Sequence, residues 1–231
     1  MGKMKNNNGI VCVIPSRSQG DQINNLNFLQ VGDKMLLELT ILSALKSKIF
    51  SIIYVIFDNE DLKSFFEKKY KIKGIINKRK NLDFTKLVKK YKKNYFDTFS
   101  YICVLFPNSP FKNEKTLIKM YSKIKKEKID FLISGCFEKN KFYFNNKNIL
   151  KKNYYRKHNK LDKVFYISGG INFFSKKFNN YENYTNKINK KNFFLLNNHE
   201  GFSIYSLYDL ILASTINDID YSIFNNLLKN K

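Results

Sequence analysis

The first hydrophobic run, Ile10-Val11-Cys12-Val13-Ile14, is short, uninterrupted and rich in β-branched residues. Such a run predicts a strand buried on both faces, as in a parallel sheet. A polar loop, residues 15–22, follows. Over residues 34–47 the apolar positions Leu37, Ile41, Leu42, Ala44 and Leu45 then recur at helical spacing. The alternation continues. Residues 51–57 read as a second buried strand. Residues 62–70 read as a helix whose leading acids, Asp58, Glu60 and Asp61, suit the positive end of a helix dipole. Residues 74–76 make a short strand, 86–95 a helix, 100–106 a strand, 114–125 a helix capped by Asn113, and 131–134 a fifth strand. By this point strand and helix have alternated four times. With right-handed crossovers, that predicts an α/β fold: a Rossmann-like, mostly parallel sheet with helices on both faces.

After Gly135 the pattern changes. Residues 139–163 are polar, basic and rich in Tyr and Phe, without a helical period, and read as an excursion from the core sheet. Residues 164–167 and 171–174 read as two strands flanking Ser168-Gly169-Gly170. Paired glycines there permit positive φ or close approach of a ligand, and a plain tight turn is the alternative. Residues 193–196 form another short apolar run, and 202–205 a late strand. Ser206 and Asp209 have the spacing of a capping box for a helix through Ile216, and residues 220–231 make a last helix. There are no internal repeats, and the chain reads as a single domain.

A strand, a polar loop and a helix near the N-terminus point to a ligand site at the carboxyl end of the first strand. Backbone N–H groups of residues 15–22 can meet phosphate there, and Arg17 adds a fork able to grip it bidentately. The loop is neither Gly-x-Gly-x-x-Gly nor a Walker motif, and an ordinary βα loop is the alternative. Asp58, at the end of the second strand, either faces a ligand or caps the helix.

Composition narrows this picture. The chain has 231 residues, with 42 Lys and Arg against 19 Asp and Glu, for a net charge of +23. That charge invites a nucleic-acid partner. However, all but three of the basic residues are Lys, and neither a dense Arg patch nor an RNA-binding aromatic signature stands out. Abundant Lys, Asn, Ile, Phe and Tyr suggest an AT-rich coding bias that spreads Lys over every solvated face. No specific nucleic-acid partner is expected. Cys12, Cys103 and Cys136 have no metal spacing, and His158 and His199 are too far apart in sequence to argue a metal site. An odd cysteine count without an export signal fits a reducing cytoplasm, and no apolar run approaches the roughly 20 residues of a membrane span.

The segment Leu105-Phe106-Pro107-Asn108-Ser109-Pro110-Phe111-Lys112 carries two prolines and a serine in the spacing Leu-Gln-Pro-Thr-Ser-Pro-Leu-Arg. Ile14-Pro15-Ser16-Arg17, with Asn27 and Gly32 further on, follows a strand-then-Pro-Ala-Arg opening. Ile56-Phe57-Asp58 follows Ser-Thr-Asp, Arg79-Lys80 approximates Arg-Pro, and Arg156 followed by Ser168-Gly169-Gly170 follows an Arg and then Asn-Gly-Ala. Residues 203–210 follow Asp-Ile-Asp-Thr-x-x-Asp-Leu. In this order and wording, over roughly residues 10–214, the chain resembles the cytidylyltransferases that activate nine-carbon sugar acids, the acylneuraminate (CMP-sialic acid synthetase) family. In a chain that uses so little Arg, each of the three arginines can be placed on an Arg-bearing element of that family. Arg presents a planar fork that Lys cannot copy.

The resemblance implies transfer of CMP from CTP to a sialic-acid-like nonulosonic acid, releasing pyrophosphate, in the making of surface glycans. CTP would lie over residues 15–22, with Arg17 as catalytic phosphate anchor. Pro15, Ser16, Ser18, Asn27, Arg79, Pro107 and Ser109 would line the nucleotide. The sugar acid would lie beyond Ser168, Gly169 and Gly170, with Arg156 near its carboxylate. Mg²⁺ is implied, with no ligands assignable, and so is a homodimer built around the excursion 139–163. The chain differs from the family pattern at Asp21 and Leu26, where lysines stand, at Phe106 for Gln, and at Ser203 and Tyr205 for the metal-holding acids. Lys34, Lys112, Asp58 and Glu200 are the residues able to take over those charges. Three alternatives stay open: an inactive nucleotide-binding relative, a nucleotidyltransferase for another sugar acid, and a basic-surface binding module on an α/β fold.

Overall fold

The computed structural model describes residues 7–16, 23–78, 84–138, 164–178 and 190–218. Four parallel βα steps dominate its first half. β1 (Asn7–Pro15) is followed by a two-residue hairpin of β2 (Gln30–Val31) and β3 (Lys34–Met35), and then by α1 (Leu36–Ser47). Next come β4 (Ile52–Phe57), α2 (Glu60–Lys69), β5 (Lys73–Ile76), α3 (Phe84–Tyr91), β6 (Phe99–Leu105) and α4 (Glu114–Glu127). β7 (Phe131–Glu138), β8 (Val164–Ser175), β9 (Phe193–Leu195) and α5 (Leu207–Asp218) complete the described chain. The sheet has seven strands in the order β5-β4-β1-β6-β8-β7-β9. β8 runs antiparallel between β6 and β7; every other neighbouring pair is parallel. Helices cover both faces, so the expected architecture holds.

The period-2 alternation of β1 explains the layering. Ile10, Cys12 and Ile14 turn to one face, where they meet Leu37 and Ile41 of α1, Phe66 of α2, and Leu117, Met120 and Ile124 of α4. Val11 and Val13 turn to the other, where Val88 of α3, Tyr91, Phe96 and Phe178 cover them. A strand buried on both sides has no solvated face on which to place polar residues, hence the unbroken apolar run. A third, smaller cluster of Val31, Leu36, Ile204 and Ala213 fastens α5 to β2 and the start of α1.

The caps follow the sequence chemistry. Asn113 caps α4, its Oδ1 accepting from Lys115 N–H at 2.8 Å. Ser206 and Asp209 form the reciprocal box at the start of α5: Ser206 N–H donates to the Asp209 carboxylate at 2.8 Å, and Asp209 N–H to Ser206 Oγ at 3.2 Å. α2 is capped by Asn59, which accepts from Asp61 and Leu62 N–H, so the capping role offered to Asp58 belongs to its neighbour.

Three expectations are corrected. Residues 164–167 and 171–174 are not two strands around a turn; they are one strand, because β7 extends to Glu138 and supplies ladder partners for both halves. Gly169 and Gly170, at φ +75° and +59°, lie inside that strand at an irregularity in its pairing with β7. Residues 202–205 do not form a strand. That segment anchors through Ile204, whose side chain is fully buried and whose N–H donates to Asn108 O at 2.7 Å. The helix expected at 86–95 begins earlier and closes in a π turn, Lys92–Phe96. The excursion 139–163 and the helix expected at 220–231 lie outside the described residues. No described helix is long and apolar enough to cross a membrane.

One buried carboxylate ties α1 to α2. Glu38 accepts from Met35 N–H at 3.0 Å, from Lys69 Nζ at 2.5 Å and from Tyr70 Oη at 2.8 Å. Burial would raise its pKa, but the bonds from Lys69, Met35 and Tyr70 outweigh that and hold it below the ordinary 4.5. A carboxyl with a depressed folded-state pKa stabilises the fold above its unfolded pKa, and that stabilisation is lost as pH falls through the folded value. Glu38→Gln is therefore expected to lower the melting temperature at pH 7. It should also flatten the further loss that the wild type suffers between pH 4.5 and pH 3. Parallel acid limbs in melts of the two proteins would refute this role.

Candidate active site

The carboxyl ends of β1, β4 and β6 open at one edge of the sheet, where a parallel α/β architecture places ligands. At the end of β1, Ser16 is fully buried and its N–H donates to Ile56 O at 2.9 Å, pinning the strand's exit to β4. Its Oγ has no hydrogen-bond partner among the described residues. A buried hydroxyl without a partner is uncommon, and here it stands at the base of the loop that sequence analysis assigned to phosphate.

The turn after β6 is the most connected element of the mouth. Phe106 N–H donates to Gly170 O at 2.9 Å. Pro107, Ser109 and Pro110 are buried. Ser109 Oγ lies 2.8 Å from Ser203 Oγ, and Asn108 O receives the Ile204 N–H. Lys112 turns inward: its Nζ donates to the carbonyls of Phe106 and Ser109, while its own carbonyl accepts from Ser43 Oγ of α1 at 2.8 Å. Burial pulls the Lys112 ammonium down to a pKa of about 7.

The β8 glycines meet this turn. A Cβ on Gly170 would stand 3.1 Å from Phe106 Cβ, Phe106 O and Ser109 Oγ; one on Gly169 would meet Leu196 Cδ1 at 2.1 Å and Glu200 O at 3.1 Å. Ser134 fastens the irregular stretch from behind, donating to Ser168 O and accepting from Ile171 N–H. Beyond it, a cleft of about 460 Å³ is lined by Phe111, Lys112, Asn113, Glu114, Asn197, His199 and Glu200. Phe111 and His199 stack with ring centroids 4.2 Å apart, and burial holds the His199 imidazole below its ordinary pKa. Glu200 is fixed by Thr116 Oγ1 at 2.5 Å and Asn197 Nδ2 at 3.0 Å.

The structure thus brings Pro107, Ser109, Gly169 and Gly170 together, with Ser168 adjoining them in β8. Pro15 and Ser16 close β1 at the same edge of the sheet. Asn27 stands in the 3-10 turn Leu26–Phe28, which precedes the hairpin and packs on α1. Arg17, Ser18, Arg79 and Arg156 lie outside the described residues, as does Asp21. Lys112 does not present its charge outward as a replacement for a phosphate-facing lysine, because both carbonyl bonds point it into the turn. Sequence reasoning missed the double role of Ser134 and the Ser109–Ser203 pair, which joins residues 94 positions apart without a local signal.

The described residues do not fit a protein-held Mg²⁺. Mg²⁺ takes hard oxygen ligands and is held through carboxylates plus substrate phosphates. At the two positions where the resemblance expects acids, the Ser203 hydroxyl is engaged with Ser109, and Tyr205 is 58% exposed with its N–H bonded to Asp209. Among the described residues no three His, Cys, Asp or Glu side chains cluster as a metal site.

A family model described as cytidylyltransferase matches residues 11–205. No curated protein matches the chain in sequence. Among solved structures, 4-diphosphocytidyl-2C-methyl-D-erythritol synthase from Anaerococcus prevotii superposes with a TM-score of 0.67 at 15% identity, covering 90% of this chain and 95% of that one. CMP:2-keto-3-deoxy-manno-octonic acid synthetase complexed with CTP gives 0.66 at 12% identity, over 90% and 98%. A cytidylyltransferase from Leptospira borgpetersenii gives 0.60 at 14%, over 96% and 94%. At these identities the likeness is one of fold.

Gly170 is the position where the mouth tolerates least. A left-handed φ costs a side-chain-bearing residue about 1–2 kcal/mol before any contact is counted, and a Cβ here also presses on Phe106 and Ser109. Gly170→Ala is expected to lower stability by about 2 kcal/mol and to speed amide exchange at Phe106. Urea unfolding and hydrogen exchange read both, and wild-type values in the two would show that the glycine is not required.

Proposed function

The chain belongs to the cytidylyltransferase family, and on that premise we propose that it transfers CMP from CTP to a sialic-type nonulosonic acid. The cytidylyl donor follows from the family. The acceptor is our reading of the acylneuraminate-like motifs, and the observation that carries it is the junction of three of them. Residues 105–112, Ser168-Gly169-Gly170 and residues 203–210 lie far apart in sequence, yet they meet through the Phe106–Gly170, Ser109–Ser203 and Asn108–Ile204 bonds.

In this reading CTP lies over the loop after β1. Arg17, Ser18 and backbone amides take its phosphates, Ser16 Oγ offers them a further hydroxyl, and Pro15, Asn27, Arg79, Pro107 and Ser109 shape the nucleotide side. The sugar acid approaches past Ser168, Gly169 and Gly170, with Arg156 on its carboxylate. Its anomeric oxygen bonds to the α-phosphorus, the bond from that phosphorus to the bridging pyrophosphate oxygen breaks, and the hydroxyl proton leaves to solvent. Such a displacement is catalysed by positioning and by neutralising charge on the phosphates. No step here uses a protein-held metal, and Mg²⁺ would ride on the nucleotide's own phosphates.

The chain is a single catalytic domain in this proposal, working in the cytoplasm as a homodimer joined through residues 139–163. The β7–β8 ladder supports that assignment. It runs past the end of β6 through Cys136↔Tyr166, Phe137↔Phe165 and Glu138↔Val164, and leaves Phe137, Tyr166 and Ile167 exposed at the base of the segment. A second reading, another sugar acid as acceptor, is favoured by the hydroxyls of Ser203 and Tyr205 where the acylneuraminate pattern has acids.

The test is pyrophosphate release from CTP and Mg²⁺ with a panel of nonulosonic and octonic sugar acids. Release is expected with a nonulosonic acid, and Arg17→Ala should reduce it by on the order of 10² to 10³. Release only with an octonic acid would favour the second reading. No release, together with no CTP-induced shift in melting temperature, would reject nucleotide chemistry.

A further inference from the structure

We infer that Lys112 is a positioning residue whose buried amino group holds the turn Phe106–Ser109 in the shape that presents Pro107 and Ser109 to the nucleotide. The inference rests on the reading of that turn as the nucleotide side. Lysine is almost never fully buried unless paired, yet Lys112 is only 6% exposed and forms no ion pair among the described residues. What holds it is geometry. The ammonium donates to the carbonyls at both ends of the turn, Phe106 O and Ser109 O. The turn's own backbone bond, Ser109 N–H to Phe106 O, is long at 3.4 Å, so the side chain does most of the closing. The Lys112 backbone carries the clamp onward, its carbonyl accepting from Ser43 of α1.

An apolar residue of similar length would fill the same space but would give neither carbonyl a donor. The groups facing the ammonium do not compensate its charge. Cys12 of β1 and Cys103 of β6 are the titratable groups that act on it, and burial pushes both thiols up, leaving them neutral. Glu114, His199 and Glu200 line the cleft outside, where Glu200 is engaged by Thr116 and Asn197. Burial brings the folded-state pKa of Lys112 to about 7, so the closed site favours the neutral amine, which keeps two N–H donors for the two carbonyls. Opening the turn returns the side chain to water, where it takes up a proton, so the closed turn gains stability as pH rises through about 7.

The test compares wild type, Lys112→Met and Lys112→Arg at pH 6 and pH 8.5. Its readouts are amide protection factors at Phe106, Ser109 and Ile204, which correct for the intrinsic pH dependence of exchange, and the dissociation constant for CTP. In wild type, protection should rise by on the order of tenfold from pH 6 to pH 8.5, because the closed turn prefers the neutral amine. Lys112→Met should show low protection that does not change with pH, and should bind CTP on the order of tenfold more weakly than wild type at pH 8.5. Lys112→Arg, whose guanidinium stays charged, should show protection that does not change between the two pH values. Protection that is independent of pH in wild type and unchanged in Lys112→Met would overturn the inference. If Lys112→Met does not fold, the wild-type pair decides alone. If CTP fails to bind while protection follows the expected pattern, the nucleotide reading falls and the clamp stands.

Discussion

The hydrogen bond from Phe106 N–H to Gly170 O is the joint on which the mouth of this sheet depends. It lies where the parallel half of the sheet, ending in β6, meets β8 running the other way. Regular antiparallel pairing carries the two strands only as far as Leu105 opposite Ile171. To extend the contact by one residue, β8 takes two successive residues into the left-handed region, and glycine does this without a Cβ penalty. The same backbone approach leaves no room for a side chain at 170, between Phe106 and Ser109. Ser109, Ser203, Ile204 and Lys112 all attach to the turn that Phe106 begins. Shift the joint, and each of these loses its partner.

What could be read from the sequence is what is local. β1, β4 and β6 announce themselves by apolar runs because burial on two faces suppresses alternation. Asn113 and the Ser206–Asp209 box announce helix starts because capping chemistry spans four residues or fewer. Pairing is not local. Whether residues 164–175 make one strand or two depends on how far β7 runs, and Phe202–Tyr205 looks like a strand because alternation records which side chains are buried, not whether an edge is free to pair. Ile204 satisfies the pattern by itself, as a single anchor in the small cluster with Val31, Leu36 and Ala213.

The site divides in the same way. The motifs set Pro107 and Ser109 on the nucleotide side and Gly169 and Gly170 toward the sugar acid, and the antiparallel pairing of β8 with β6, which no local pattern records, brings the two together. The direction of a side chain was not legible. Lys112, matched to an arginine by position, reads as a free cation until Phe106 and Ser109 are seen to turn their carbonyls toward it. The Ser109–Ser203 contact reads from sequence as the loss of a metal ligand, and in the structure it is a hydrogen bond that ties the two segments together.

These two features belong to one electrostatic arrangement. A pair of carboxylates near a triphosphate repels it unless a divalent cation stands between them; two hydroxyls at 2.8 Å bring no such repulsion and need no such bridge. The Lys112 amine closes the same turn from beneath, and burial favours its neutral form, so it too acts there as a hydrogen-bond donor more than as a charge. Hydroxyl, amine and backbone carbonyl thus join three segments without a buried ion pair, and the low dielectric that makes an uncompensated charge costly strengthens each of these bonds. In a chain of net charge +23 the surface lysines contribute little to this, because solvent and salt screen them. The lysine that shapes the mouth is the one the fold buries.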